Sequence, residues 1–132
     1  MEERPRTAIS EFVSDRTPRP LMAPMLTFNL PSEIARLRGE VEYQKGHTGR
    51  TLIKHSEYRM VLVALKQGAE LHGLHTDQRV ALQPLSGHLR LHFANEVVNL
   101  HPDQLMSLDR DIALRVEAVD AAEFLLWIGW TS

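Results

Sequence analysis

Seven histidines and no cysteine set the chemistry open to this chain. Imidazole is the side chain that changes charge near neutral pH and the commonest protein ligand for transition metals. Any metal site or proton relay here must therefore draw on His47, His55, His72, His75, His88, His92 and His101. Without a thiolate, disulfides, sulfur-ligated metal centres and cysteine nucleophiles are excluded. His72 and His75, in GAELHGLHTDQ, read either as pocket-lining residues that could hold a divalent metal weakly or as plain loop residues. Gln83 shares sequence parity with His75 and joins them as a pocket candidate.

The other histidines have plainer readings. His88 and His92 alternate with Leu89, Leu91 and Phe93, so they read as solvated or interfacial. His47, in QKGHTGR, reads as a loop residue, as does His55 in KHSEYR. His101, before Pro102, reads as part of a turn. Asp109, Arg110 and Asp111 form a charged trio. Paired carboxylates share acid and base roles only where burial separates their pKa values, and a solvated turn is the plainer reading. Arg59 and Glu117 lie in strand-like segments and could face each other across a barrel. No nucleophile elbow, phosphate-cradling glycine loop or dinucleotide fingerprint is present.

The elements that must carry these residues follow from pattern. The 132 residues suffice for one hydrophobic core, and 43% hydrophobic with 24% charged residues is a globular balance. A net charge of -2 with scattered Lys and Arg gives no case for nucleic acid or an anionic membrane. No apolar run approaches a membrane span, and the acidic start MEERPRTAISEF is unlike a signal peptide, so a cytoplasmic protein is expected. Residues 1–28 read as an extended arm, because Pro5, Pro18, Pro20 and Pro24 disfavour a long helix. Its apolar end, LMAPM, should lie against a groove on its own barrel or on a neighbouring subunit, with disorder of residues 1–15 as the alternative.

A single barrel domain is expected over residues 29–132. It begins with one short helix at about 30–39, capped by Asn29 or Ser32, with Leu30, Ile34 and Leu37 on one face and Gly39 at its end. From about residue 50 to 131 the pattern is of short strands: 52–54, 58–66, 79–85, 88–93, 96–100, 104–108, 113–119 and 123–130. The absence of helices between strands argues against a parallel sheet and for an all-β sandwich or barrel. In the last strand, EFLLWIGW, Phe124, Leu126, Ile128 and Trp130 share one face and Leu125 and Trp127 the other. Both faces are apolar, so something covers each. The arm and helix or a second subunit would serve, and a homodimer is expected. A pocket lined by Trp127 is the alternative.

The stretch from Val61 to Ile128 resembles the small single-domain cupins, the RmlC-like jelly rolls. The residues that carry the likeness are LVALKQGAELHGLHTDQRVALQPLSGHLRLHF and EVVNLHPDQLMSLDRDIALRVEAVDAAEFLLWI. Gly68 and Gly87 bracket a histidine-bearing segment at the family's separation. The resemblance implies a double-stranded β-helix with a pocket at its mouth. Many members hold a divalent metal there through two histidines and a glutamate from a first motif and a histidine from a second. Those positions fall here on Leu74, Thr76, Val80 and Leu114. The second motif's glycine, proline and glycine fall on Asp103, Asp109 and Asp111. A leucine offers no lone pair to a metal. The expectation is therefore a cupin with a degenerate metal site that binds a small organic ligand. Two alternatives stand beside it: a metal-dependent dioxygenase or isomerase using His72 and His75, and a non-catalytic dimeric interaction protein.

Overall fold

The computed structural model describes residues 24–74 and 77–129. The sequence-level proposals for His75, for Trp130 and for most of the arm lie outside them. Residues 24–28 carry no regular secondary structure and lead into helix α1, Leu30–Arg38. Of the two possible caps, Asn29 serves: its side chain accepts from the Ser32 backbone N–H at 3.0 Å. Pro31 sits in the first turn, where no intrahelical donor is lost. Glu33 near the start and Arg36 and Arg38 near the end complement the helix dipole. Beyond Gly39 a second helix, α2 (Val41–Gln44), makes one further turn. The expectation of one helix missed it because four residues are too short for a periodic signal.

Nine strands follow: β1 His47–Lys54, β2 Tyr58–Leu65, β3 Glu70–Leu74, β4 Arg79–Ser86, β5 Leu89–His92, β6 Val97–Leu100, β7 Met106–Leu108, β8 Leu114–Ala118 and β9 Ala122–Gly129. They form a five-stranded sheet in the order β1-β2-β9-β4-β7 and a four-stranded sheet in the order β3-β8-β5-β6. Every recorded pairing is antiparallel. Strand β1 starts earlier than the composition of QKGHTGR suggests. His47 pairs with Leu65 at the far end of β2, so pairing to a long apolar neighbour extends the strand through polar residues. β3 was not expected as a strand, since Glu70, His72 and Gly73 interrupt its apolar pattern.

Register sorts the side chains. On β2, Val61, Val63 and Leu65 pair with Leu126, Phe124 and Ala122 and enter the barrel. They meet Leu71, Leu89, Leu91, Val116 and Ala118 from the second sheet in one buried cluster. Each such side chain withdrawn from water contributes about 1.5–3 kcal/mol before entropy is counted. The alternate residues Met60, Leu62 and Ala64 face outward and pack with Leu125, Leu52, Leu37 and Tyr43 beneath the helices. So the apolar stripe of α1 covers Leu125 on the outer face of β9, while Trp127 on the same face is 38% exposed.

Arg38 fixes that cover. Its Nη2 and Nε lie 2.6 and 2.7 Å from Glu123 Oε2, and Glu123 is 1% exposed. The Ser86 hydroxyl donates to the other carboxylate oxygen. The hydrogen bond to Glu123 is the main reason the Arg38 pKa is raised. Among the described residues, no helix is long and apolar enough to cross a membrane.

Candidate functional site

The interior of the barrel is where the sheets bring chemistry-bearing positions together, and one end of it holds the positions of interest. Val80 pairs with Ile128 and Leu108 in the five-stranded sheet. Leu114 pairs with Leu74 in the four-stranded sheet. Val80 and Leu114 are 5% and 6% exposed and share the buried cluster with Ile128, against which Phe93, Met106 and Leu108 also pack. Arg59 belongs to the same end: it pairs with Ile128 and Lys54, on the inward-facing side of β2. Its Nε is shielded from solvent. The arrangement is an apolar wall with a guanidinium beside it, suited to a ligand with an apolar body and an anionic group.

Two sequence-level candidates do not face this interior. Gln83 pairs with Leu125 on β9, and Leu125 belongs to the outer cluster under the helices. Trp127 pairs with Ala81 and Met60, again on the outer face, and is 38% exposed. Neither lines a pocket in the barrel. The parity between Gln83 and His75 runs across a turn, where alternation carries no information.

His72 sits on β3 next to buried Leu71 and points to the outside, its side chain 53% exposed and its Nε2 3.0 Å from Glu70 Oε1. His75 lies outside the described residues, so the pair remains a sequence-level pairing. The proposed Arg59–Glu117 encounter does not form, because the two side chains lie on opposite faces of the barrel wall. Glu117 alternates with buried Val116 and Ala118 and turns outward.

The outer face of the four-stranded sheet is a lattice of charge. Glu70 and Glu117 pair directly across β3 and β8, an unfavourable juxtaposition on its own. Arg115 Nη1 lies 3.0 Å from Glu70, and Arg90 Nη1 3.6 Å from Glu117. His92 Nε2 lies 2.8 Å from Glu117 Oε1. That hydrogen bond, with help from Arg90 and Arg115, lowers the Glu117 pKa. His92, expected to be solvated or interfacial, is instead a half-buried hydrogen-bond partner of Glu117. His88 Nε2 lies 2.7 Å from Asn99 Oδ1, and its ring stacks on His101 with centroids 4.3 Å apart.

The charged trio is the solvated turn expected: Asp109, Arg110 and Asp111 are all exposed. The Asp109 pKa is lowered first by the Arg110 backbone N–H and then by Arg79, 3.1 Å away. With no burial to separate the two carboxylates, they offer no acid–base pair.

A cupin-type metal does not fit the described donors. The glutamate and second-motif histidine positions hold Val80 and Leu114, both packed among hydrocarbon. Among the described residues no group of three or more His, Asp or Glu is placed to hold an ion. Arg59 is the residue that sequence reasoning undervalued at this site. Its parity with Val61 and Val63 was the available signal.

No family model matches the sequence, and no curated protein matches it. Solved structures do. A cupin-2 domain containing protein from Shewanella frigidimarina superposes with a TM-score of 0.62 at 12% identity, covering 78% of this chain and 94% of that one. An RmlC-like cupin from Desulfovibrio desulfuricans gives 0.64 at 16% identity, with 80% and 96% covered. A variant of salicylate 1,2-dioxygenase from Pseudoaminobacter salicylatoxidans gives 0.72 at 10% identity, covering 84% of this chain and 36% of the enzyme. The fold is the cupin jelly roll, as the resemblance implied. At these identities the likeness is one of fold, and a cupin fold does not choose a function.

Proposed function

We propose that this chain is a cytoplasmic, metal-free cupin-fold binding protein that takes a small organic acid at the apolar end of its barrel. The observation that supports the reading is the residue set there: Val80 and Leu114 where metal ligands would stand, with Arg59 on the same inward-facing side. An apolar ligand body gains about 25 cal/mol per Å² of surface it buries. A guanidinium fork pairs with a carboxylate through two parallel hydrogen bonds. Together they select an acid over its neutral analogue. Salicylate, the compound in the dioxygenase's name, is an aromatic acid of this class.

Thermal unfolding of the untagged chain with benzoate and octanoate, against benzamide and octanamide, tests the reading. A ligand that binds only the folded state raises the melting temperature. The acids should raise it, the amides should not, and Arg59→Gln should abolish the difference. Equal shifts with acids and amides, or no shift with either acid, would contradict the proposal.

A further inference from the structure

The outer face of the four-stranded sheet holds a pair of imidazoles that the barrel interior does not use. Leu89 and Leu100 pair across β5 and β6, and both are buried. The residues one step beyond, His88 and His101, therefore fall on the outer face of neighbouring strands. Their rings stack with centroids 4.3 Å apart and planes at 29°. Both backbones are pinned. The Val119 N–H donates to the His88 carbonyl at 2.9 Å, and the backbone of Ala121 and Ala122 lies against Gly87 just ahead. The His101 N–H donates to Gln104 Oε1 at 2.8 Å, and the Gln104 N–H donates back to the His101 carbonyl at 2.9 Å. Pro102 keeps His101 extended, because the residue before a proline is pushed out of the helical region.

The tautomer of His88 is set as well. Its Nε2 lies 2.7 Å from Asn99 Oδ1, and a carboxamide oxygen can only accept. Nε2 therefore carries the proton and donates it, which leaves the lone pair on Nδ1. Metal-bound histidines are normally held this way, the second ring nitrogen donating to a carbonyl or carboxylate. Among the described residues, no side chain hydrogen-bonds the His101 ring, so its lone pair is open to an ion.

The ring separation fits chelation. With nitrogen–metal bonds of about 2.1 Å, two imidazoles at right angles on one ion have centroids about 4.5 Å apart, and a tetrahedral pair about 5.2 Å. The observed 4.3 Å lies nearer the right-angled pair, the arrangement that nickel(II) and copper(II) favour. Arg90, two residues along β5 on the same face, has Glu117 within 3.6 Å to offset its charge. We propose that His88 and His101 chelate a divalent ion of the nickel or copper class on the outside of the sheet, with Asn99 positioning His88. Two protein donors completed by water hold such an ion loosely, so it exchanges and is lost on desalting. The site lies apart from the barrel interior and does not rest on the acid-binding reading.

Calorimetric titration of the untagged full-length chain with nickel chloride, at a pH where imidazole is neutral, tests this. One ion should bind per chain. His88→Ala and His101→Ala should each weaken it at least tenfold, and the double variant no further, because a chelate is lost whole. Asn99→Leu should weaken it about tenfold, and Asn99→Asp should restore it. In the parent chain, substoichiometric nickel should broaden the ring C–H signals of His88 and His101 ahead of those of His72 and His92. No binding, or binding that neither alanine variant weakens, overturns the proposal. Losses that add in the double variant also overturn it, by making the two rings separate single-donor sites. So does broadening that starts at His72 or at any other histidine. Equal affinities for the Asn99→Leu and Asn99→Asp variants overturn the role given to Asn99.

Discussion

Val80 in the five-stranded sheet and Leu114 in the four-stranded sheet turn into one apolar cluster from opposite walls of the barrel. A metal centre would need both positions to donate electron pairs, and here both contribute hydrocarbon contacts. Leu114→His would bury an imidazole among apolar neighbours, costing about 1–3 kcal/mol for the unsatisfied polar group in addition to lost leucine packing. Urea unfolding should show a loss of about 2–4 kcal/mol, while Leu114→Met should cost less than about 1.5 kcal/mol. Zinc should not restore the histidine variant, because Val80, at the glutamate position, offers no donor opposite it.

The turn between β4 and β5 gives a second prediction. Gly87 has φ 85°, and a Cβ there would stand 2.3 Å from the Ala121 carbonyl oxygen and 2.6 Å from Ala122. Gly68 has nearly the same φ, 84°, but open space around its missing Cβ. Gly68→Ala should therefore cost only the left-handed backbone penalty, about 1–2 kcal/mol. Gly87→Ala should cost clearly more, because backbone atoms must move. Equal unfolding midpoints for the two variants would contradict the clash.

The Arg38–Glu123 pair anchors α1 on the sheet. Removing Arg38 leaves a carboxylate that is 1% exposed with the Ser86 hydroxyl as its recorded partner. Breaking a buried pair costs about 3–5 kcal/mol, reduced here because the Arg38 side chain is 47% exposed and already screened by water. Arg38→Met should thus destabilise by about 2–3 kcal/mol. Adding Glu123→Leu should recover part of that loss, since no buried charge is then stranded. A double-mutant cycle in urea measures the coupling.

Acid sensitivity should trace to Glu117. Its folded pKa lies below the ordinary 4.5, chiefly through the His92 hydrogen bond. A carboxylate with a depressed folded pKa contributes stability that is present above its unfolded value and lost as pH falls through the folded one. The wild-type chain should therefore lose this contribution as pH drops below the ordinary 4.5 toward the lower folded value. His92→Phe should lose less over the same interval, having less to lose. Parallel acid limbs in pH-dependent urea titrations would contradict this assignment.

How much of this was legible in the sequence depended on how locally each feature is determined. The leucine stripe of β5 and the capped, striped α1 are set by neighbours a few residues away, and the sequence shows both. β3 was missed because its strand character comes from pairing with β8, some 45 positions along the chain. Gln83 and Trp127 were placed at a pocket because alternation tells which residues share a face but not which face is inside. For Trp127 the answer came from α1 packing beside Leu125, a long-range contact. Leu114 and Val80 could be located in advance only through the cupin resemblance, since nothing local distinguishes them from other core residues.

At Val80 and Leu114 the barrel carries hydrocarbon where an ion would need donors. Elemental analysis of the untagged chain, purified without chelator, tests that directly. Iron, manganese, nickel and zinc should all be far below one equivalent per chain and unchanged by His75→Ala. A near-stoichiometric ion that His75→Ala removes would contradict the account and favour a metal-dependent enzyme.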